Sequence, residues 1–368
     1  MNERIKEKIG KVLQNNDLLY CIYKMAFSKR GKDYQQLLKA YIDTANVLQF
    51  RRYGNENYGK TVYRISVGYE HSNISAEHTG FFAMLRMNAL ERLALADACG
   101  FVPYIEWGPK CLYAEEHPVN GTTNVFEYYF EQVSDLSAEE INTSAAVIES
   151  TPKHGRFIYE QECSMYATNE SEIDTLACIY RKYIHLNSTT KKYIDENISH
   201  VLQGKNILGI HVRGTDFKIQ LNKHPVVITI DDYLFVAQKL WKTGKYDQIF
   251  LATDDSEAVK RFTAVFGNSM SYYADIKRSE GSVSLALLDS ERENHHYMLG
   301  LEVLRDVYTL ASCDGFIGNL SQVSVATRIC KCAKNIAFLD EVILDKGINQ
   351  NGADWASVYK QQVGEKRK

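Results

Sequence analysis

The sequence has little proline and no long hydrophobic run. Only 5 of its 368 residues are proline, and no low-complexity tract occurs, which argues against a linker-rich or fibrous chain. No stretch approaches the ~20 apolar residues that a membrane helix needs. The charged start, Met1-Asn-Glu-Arg, has no apolar run behind it and so does not resemble a signal peptide. We expect a cytoplasmic protein, with the basic end Lys366-Arg-Lys as a candidate contact with the inner face of the membrane.

Signatures of metal and common nucleotide sites are also missing. The 8 cysteines form no Cys-x-x-Cys pair, which argues against zinc ribbons and thioredoxin-like chemistry. The chain has no Asp-x-Asp, and His295 and His296 are adjacent rather than four apart, so we expect no metal. Neither Gly-x-Gly-x-x-Gly nor a P-loop occurs. The net charge of -3 is unlike that of a general nucleic-acid binder, so we expect no nucleic-acid partner.

The first half of the chain contains one strand–helix–strand pattern. The first fifty residues have apolar residues at helical spacing. Thr61 to Tyr69 alternates as a strand does, a helix is predicted from Gly80 to Cys99, and Phe101 to Glu106 is the next strand. This order is typical of a parallel sheet. Residues 107 to 157 are less regular, apart from an aromatic cluster that begins at Asn124.

The second half alternates strands and helices throughout. After a helical stretch over 172–203, the pattern predicts strands at Asn206–Val212, Gln248–Ala252, Ser271–Ala274, Gly315–Gly318 and Asn335–Leu339, and helices at Asp231–Trp241, Ser256–Phe266, His296–Ser312 and Gln322–Cys332. Near-continuous apolar strands alternating with helices predict a doubly wound parallel sheet, whose ligands bind beyond the carboxyl ends of the strands.

Length and pattern together predict an α/β protein with two domains. We place the first at residues 1–195 and the second at 196–345, with a tail at 346–368 and a cleft between the domains. The oligomeric state is not predicted.

Two polar segments follow predicted strands. His211 and Arg213 alternate around Val212, so both side chains point the same way at a strand end. The arginine fork suits phosphate, although an ion pair that closes the sheet is the alternative. Ser321 and Gln322 begin a helix, whose free N–H groups also suit phosphate, although Ser321 could be an ordinary N-cap.

A third segment, Thr253-Asp254-Asp255, lies between a strand and a helix. Its carboxylates could accept hydrogen bonds from a ribose or a base. Capping of the following helix is the alternative.

These segments together resemble the fucosyltransferase superfamily, which includes α1,6-fucosyltransferases, nodulation fucosyltransferases and protein O-fucosyltransferases. His211-Val-Arg-Gly-Thr-Asp is similar to the His-x-Arg-x-x-Asp motif of that group, and His224-Pro and Asp232-Tyr follow it as they do in the α1,6 enzymes. Phe250-Leu-Ala-Thr-Asp-Asp and the block from Leu304 through Ser321-Gln-Val resemble the next two conserved blocks in order and spacing.

The resemblance implies a GT-B fold of two Rossmann-like domains, the first on the acceptor side and the second binding the donor. It implies an inverting, metal-independent transfer of fucose from GDP-fucose to a glycan hydroxyl, with no cofactor, in a role such as bacterial surface polysaccharide synthesis. By the same resemblance, the donor-binding residues are His211, Arg213, Asp306, Ser321, Gln322, Asp254, Asp255 and Gly80. Asp306 would pair with guanine.

The general base is left open. The α1,6 enzymes place a glutamate in the loop after the first motif, but residues 217–224 of this chain contain no acid. The candidates are Asp216, His224, Glu77 and His78, with Arg213 as the residue that stabilises the leaving diphosphate. The alternatives are a different GDP-sugar on the same fold, or a binding module without catalysis.

Overall fold

The computed structural model describes residues 50–72, 74, 76, 77, 79–151, 169–214, 221–279 and 290–353. The predicted helices of the first forty-nine residues, the base candidates His78 and Asp216, and the basic end at 366–368 lie outside the described residues. The chain divides into two compact units, Met1–Cys163 with Cys178–Asn187, and Ser164–Ala177 with Ser188–Lys368.

Unit 1 is built on a four-stranded sheet in the order β1-β4-β2-β3. Its strands are β1 (Phe50–Arg51), β2 (Val62–Val67), β3 (Val102–Trp107) and β4 (Val147–Glu149). Strand β2 pairs in parallel with both β3 and β4, and only the two-residue strand β1 is antiparallel. The predicted strand–helix–strand unit is therefore present, and β4 is a strand that the sequence analysis missed.

The helical part of unit 1 follows β2. Its segments are α1 (Phe81–Leu85), a π-turn (Arg86–Leu90), α2 (Glu91–Cys99) and α3 (Ala138–Ile141). Gly100, at φ of 66°, ends α2 in the left-handed conformation that favours glycine. Gly80 is the N-cap of α1, as the sequence predicts.

Unit 2 contains a five-stranded, wholly parallel sheet in the order β7-β6-β5-β8-β9. Its strands are β5 (Ile207–Val212), β6 (Gln248–Thr253), β7 (Met270–Ser271), β8 (Gly315–Asn319) and β9 (Glu341–Leu344). The chain runs outward from β5 in one direction to β7 and then in the other direction to β9. The predicted doubly wound α/β sheet is confirmed, and its topological switch point lies between β5 and β8.

Helices cover both faces of this sheet. The helices from residue 170 onward are α4 (Glu170–Tyr183), α5 (Ser188–Val201), α6 (Ile230–Trp241), α7 (Ser256–Phe266), α8 (His295–Leu310) and α9 (Gln322–Ala333). Helix α4 begins in unit 2 and ends in unit 1. On one face, alternate residues of β5 pack against Tyr233 of α6 and Phe262 of α7. On the other face, Ile207 packs with Leu310 of α8.

The aromatic cluster in the sequence forms part of the core of unit 1. The ring of Phe126 meets Trp107 edge-on at 5.2 Å between centroids and lies 5.0 Å from Phe130. All three residues, together with Tyr128 and Tyr129, are buried. These rings therefore stabilise the fold and offer no stacking surface for a sugar.

One strand prediction for the second half is wrong. The last strand is Glu341–Leu344 rather than Asn335–Leu339, because Asn335 adopts a left-handed conformation with φ of 58° after α9 and Leu339 is exposed. The predicted domain boundary at 195 lies within α5, and all of α5 belongs to unit 2. In the predicted tail, Ile348 forms a β-bridge with Pro225, and Ala353 forms one with Leu221.

Candidate functional site

Polar residues collect where β5, β6 and β8 end, at the carboxyl edge of the unit 2 sheet. His211, near the end of β5, is only 6% exposed, and its Nδ1 lies 3.4 Å from the hydroxyl of Ser321, which follows β8. Burial, with help from the charge of Arg213 and against that of Asp254, lowers the pKa of His211 to about 3. The imidazole is therefore neutral at physiological pH. The contact joins the first two predicted segments across the switch point.

Ser321 is the N-cap of α9. Its Oγ accepts a hydrogen bond from the backbone N–H of Ser324 at 3.2 Å and donates to the hydroxyl of Ser324 at 3.1 Å. Gln322 is the first residue of the helix and is half-buried. Capping is thus part of the role of Ser321, but the helix N-terminus still carries the partial positive charge that suits an anion.

Arg213 and Asp254 form an ion pair beside this edge. Arg213 Nη1 donates to Asp254 Oδ2 at 2.6 Å, and the other carboxylate oxygen accepts from the backbone N–H of Gly214 at 2.8 Å. The Arg213 side chain keeps 27% of its surface exposed. Asp254 therefore holds the guanidinium in one orientation without removing it from solvent, so the predicted ion pair is compatible with anion binding.

Asp255 caps the next helix. Its Oδ1 accepts from the backbone N–H of Glu257 at 3.0 Å at the start of α7, and the residue is buried. The capping interpretation therefore holds for Asp255, whereas Asp254 supports Arg213. A Cβ atom on Gly214 would lie 2.6 Å from the Cβ of Asp255, so only glycine fits between Arg213 and the start of α7.

Asp306 lies on α8 in a second polar cluster. Burial raises its pKa to about 7, although the charges of Arg305 and Arg278 oppose the shift. Within the part of the chain that the structure describes, no group hydrogen-bonds its buried Oδ1. Arg305 is held bidentately by Asp275, with both N–O distances 2.9 Å, so it is not directed at that oxygen. Asp306 is thus a half-buried carboxylate with hydrogen-bonding capacity left over.

Three other predicted residues take no part in the contacts described above. His224 is half-buried in a loop whose backbone pairs with the segment at 347–349, and its carbonyl accepts from the N–H of Asn349 at 2.8 Å. Gly80 and Glu77 are exposed residues of unit 1. A Cβ on Gly80 would meet no atom within 4 Å, and its φ of -61° is open to any residue.

A further polar cluster in unit 1 was missed by the sequence analysis. It comprises Arg64 and Ser66 of β2, Glu106 of β3, Glu149 of β4 and His71. The signal was present, because a buried strand that contains an arginine or a glutamate needs an explanation. The pairing of distant residues was not visible without the strand register.

No group of three or more His, Cys, Asp or Glu side chains within the described ranges is arranged to hold a metal ion. Among those same residues, none of the helices combines the length and the apolar character that crossing a membrane requires.

No protein-family model matches the chain, and no curated protein matches it. Its fold is similar to solved structures of fucosyltransferases. The α1,6-fucosyltransferase NodZ soaked with GDP-fucose is 17% identical over 74% of this chain and 92% of its own, with a TM-score of 0.45. NodZ from Bradyrhizobium is 18% identical over the same shares, with a TM-score of 0.43.

POFUT1 in complex with GDP is also similar, at 11% identity over 77% of this chain and 98% of that one, with a TM-score of 0.42. NodZ belongs to a group that the motifs of this sequence resemble.

Proposed function

We propose that the protein is an inverting glycosyltransferase that moves fucose from GDP-fucose to a hydroxyl group of a glycan, with no metal ion. The observation that carries the proposal is the contact between His211 and Ser321 across the switch point, with the partly exposed side chain of Arg213 next to His211 in the sequence. A neutral imidazole, a cation and a helix N-terminus at one sheet edge form a site for a doubly charged phosphate group.

The chemistry requires stabilisation of the leaving group. As the bond between C1 of fucose and the β-phosphate oxygen breaks, negative charge grows on the diphosphate. The fixed guanidinium of Arg213 and the N–H groups at the start of α9 are preorganised to receive that charge. Since Asp254 already orients Arg213, little reorganisation is needed. In this proposal these groups take the role that a divalent ion has in other transferases.

Asp306 supports the choice of guanine. Guanine offers N1–H and an exocyclic amino group, which one carboxylate can bind together. The carboxylate of Asp306 has an oxygen that the described residues leave without a hydrogen bond, in surroundings that favour an added donor. The finer parts of the proposal are the fucose itself and an acceptor in surface polysaccharide or another glycan, which rest on the resemblance of the three motif blocks.

The experiment is thermal unfolding with GDP, with UDP and without nucleotide. Ligand at about 100 times Kd adds roughly 2.7 kcal/mol of stability, which raises Tm by a few degrees. We expect a shift with GDP that is lost in Arg213→Ala and kept in Arg261→Ala, whose arginine pairs with Asp231 on the surface of the same unit. Asp306→Ala should reduce the preference for GDP over UDP.

The outcomes separate the parts of the proposal. The absence of a shift with any nucleotide would contradict the donor site as a whole. Equal shifts with GDP and UDP would remove Asp306 from guanine recognition. Release of GDP from GDP-fucose but not from GDP-mannose supports the fucose, and the reverse result would assign a different GDP-sugar.

A further inference from the structure

One loop of unit 2, residues 272–279, lies along the carboxyl edge of the sheet. It begins directly after β7. At its end, the N–H of Ser279 donates to the carbonyl of Asp254 at 2.9 Å, and the carbonyl of Ser279 accepts from the N–H of Ser256 at 3.1 Å. Asp254 is also the residue whose side chain orients Arg213. The loop is therefore fixed to the turn that holds the arginine of the proposed phosphate site.

The middle of this loop is held by Arg305 of α8. The two terminal nitrogens of Arg305 donate to the two oxygens of Asp275, both at 2.9 Å. Nη1 also contacts the hydroxyl of Tyr193 at 2.9 Å and Oδ1 of Asn197 at 2.8 Å, both on α5. The ring of Tyr273 packs against the guanidinium, with 3.7 Å from its centroid to Cζ. Because Arg305 is buried, these contacts hold the loop in one conformation against α5 and α8.

Arg278, near the end of the loop, is fixed by the loop's own backbone. Its Nη2 donates to the carbonyl of Tyr273 at 2.7 Å, and its Nη1 donates to the carbonyl of Ile276 at 3.1 Å. The guanidinium also lies over the ring of Tyr272, with 5.0 Å from Cζ to the centroid. Arginine has five N–H groups, and the two hydrogen bonds use two of them. Among the described residues, no group accepts from the buried Nε and no carboxylate pairs with Arg278.

Arg278 and Asp306 act on each other through their charges without a direct contact. Burial lowers the pKa of Arg278, and the charge of Asp306 is the largest influence that opposes this shift. Burial raises the pKa of Asp306, and the charges of Arg305 and Arg278 oppose that shift in turn. Oδ1 of Asp306 is buried, and no described residue donates a hydrogen bond to it. Two neighbouring buried groups, one a donor and one an acceptor, thus each lack a partner, which is costly in a protein interior.

A structural role explains only part of Arg278. Its hydrogen bonds to two loop carbonyls stabilise the loop, but a neutral side chain with two N–H groups could make them without the cost of burying a charge. That role also leaves the free oxygen of Asp306 unexplained. A ligand that offers an acceptor beside a donor would satisfy both residues.

Guanine has this arrangement of groups. Along one edge of the base, the acceptor O6 is followed by the donors N1–H and the 2-amino group. A carboxylate only accepts hydrogen bonds and a guanidinium only donates them, so the two donors match Asp306 and O6 matches Arg278. Adenine has an amino group in place of O6, which would direct a donor at the guanidinium. Uracil has a single N–H for the carboxylate.

We propose that the guanidinium of Arg278 donates a hydrogen bond to O6 of guanine, while the carboxylate of Asp306 accepts from N1–H and the 2-amino group. Arg278 is then a specificity-determining residue of the nucleotide site, at a position outside the three motif blocks. The inference rests on the proposed function, because it adds a contact to the guanine that Asp306 is proposed to bind. Every residue that it uses belongs to unit 2.

The test is isothermal titration calorimetry on the full chain with GDP and two analogues that each change one group of the base. 6-Thio-GDP has sulfur, a weaker acceptor, in place of O6, and IDP lacks the 2-amino group. We expect the wild type to bind GDP about tenfold more tightly than either analogue. Arg278→Met should lose the preference over 6-thio-GDP and keep the preference over IDP. Asp306→Ala should show the reverse pattern.

Two further variants complete the experiment. Arg261→Met is the matched control, because Arg261 is an arginine of the same unit that pairs with Asp231 on the surface, and all three affinities should stay unchanged. If Arg278→Met does not fold, Arg278→Gln decides. The two N–H groups of the glutamine can serve the carbonyls of Tyr273 and Ile276, which leaves none for O6, so this variant should also lose the preference over 6-thio-GDP.

The results separate the two levels of inference. If the wild type binds none of the three nucleotides, the proposed function fails, and the assignment of Arg278 fails with it. If the wild type binds GDP and 6-thio-GDP equally, or if Arg278→Met keeps the wild-type preference between them, the contact with O6 is wrong and the donor site stands. An equal loss of affinity for all three nucleotides in Arg278→Met would also overturn the contact, because it would limit Arg278 to holding the loop.

Discussion

The carboxyl edges of the two sheets hold similar residue types in opposite roles. In unit 2 the carboxylates are already engaged, Asp254 by Arg213 and Asp255 by the start of α7, while the guanidinium keeps exposed surface. In unit 1 the guanidinium of Arg64 is engaged by Glu106, and an imidazole nitrogen stays available. One edge therefore offers hydrogen-bond donors and positive charge, and the other offers an acceptor.

This difference shows that residue composition does not decide what a sheet edge binds. What matters is which member of each ion pair has further contacts within the protein. The donors and the positive charge of the unit 2 edge are what a leaving diphosphate needs. The predictions below change one edge at a time.

The largest effect is expected at the unit 2 edge. Arg213→Ala removes the cation aimed at the leaving group and should lower the turnover of GDP-fucose by about 10² to 10³. Arg213→Lys keeps the charge but loses the planar fork, so it should recover only part of the rate. Arg261→Ala is the control in the same unit. Retention of most of the wild-type rate by Arg213→Ala would exclude this residue from catalysis.

A change at the unit 1 edge should act mainly on stability. Arg64→Met leaves the buried carboxylate of Glu106 without its bidentate partner, which should lower the free energy of unfolding by about 3 kcal/mol. Chemical denaturation measures the change. Arg52→Met, at an exposed arginine nearby in the chain, should alter stability by less than about 0.5 kcal/mol. A double variant with Glu106→Leu should regain part of the loss, and failure to do so would argue against an uncompensated charge.

The elements of unit 2 were predictable because its strands are short apolar runs between helices. Strand β5 and helix α7 were placed to within a residue. Strand β9 was not, because it begins at Glu341 and is only partly buried, as an edge strand can be. The apolar residues that precede it lie in the turn after Asn335, whose left-handed backbone ends the helix.

The site was predictable to the extent that it follows strand ends. Parallel register places Val212 beside Thr253, so Arg213 and Asp254 were bound to be neighbours once both strands were recognised. The pairing of His71 with Glu106 spans 35 residues and depends on the register of β2 with β3, which no local pattern encodes. The sequence also did not show that Asp254 pairs with Arg213 while Asp255 caps α7, because these are contacts of the folded chain.

A smaller effect is expected from the pH dependence of stability. Because burial raises the pKa of Asp306 to about 7, the native state binds this proton more tightly than the unfolded state does. The free energy of unfolding therefore falls as pH rises from about 4 to about 7, and the loss is complete above pH 7. Asp306→Asn has no such loss. Its Tm relative to wild type should rise with pH over this range by a few degrees and then level off.

Asp275→Asn should change the pH dependence of stability in the opposite direction. Partial burial opposes the shift, but the hydrogen bond and charge of Arg305 lower the pKa of Asp275 below its ordinary value. Its ionised form therefore stabilises the native state at neutral pH, and that contribution disappears as the pH falls below about 4. Asp275→Asn should thus destabilise the protein most at neutral pH. If the Tm difference from wild type changed with pH in the same direction for both variants, Asp306 would not be the group that is harder to ionise.

The smallest effect on stability is expected at Gly80. A substitution there tests whether the glycine is needed for packing or for the approach of a ligand. A Cβ there meets nothing within 4 Å and the backbone is in an ordinary conformation, so Gly80→Ala should change the free energy of unfolding by no more than about 0.5 kcal/mol. Gly214→Ala should destabilise the protein, because its Cβ would lie 2.6 Å from that of Asp255. If the donor approaches Gly80 closely, Gly80→Ala should raise the KM for GDP-fucose several-fold while Tm without nucleotide stays constant. No packing or backbone requirement of unit 1 explains a glycine at this position, so the approach of the donor is the remaining explanation. If Gly80→Ala had wild-type kinetics, Gly80 would not be a donor-binding residue.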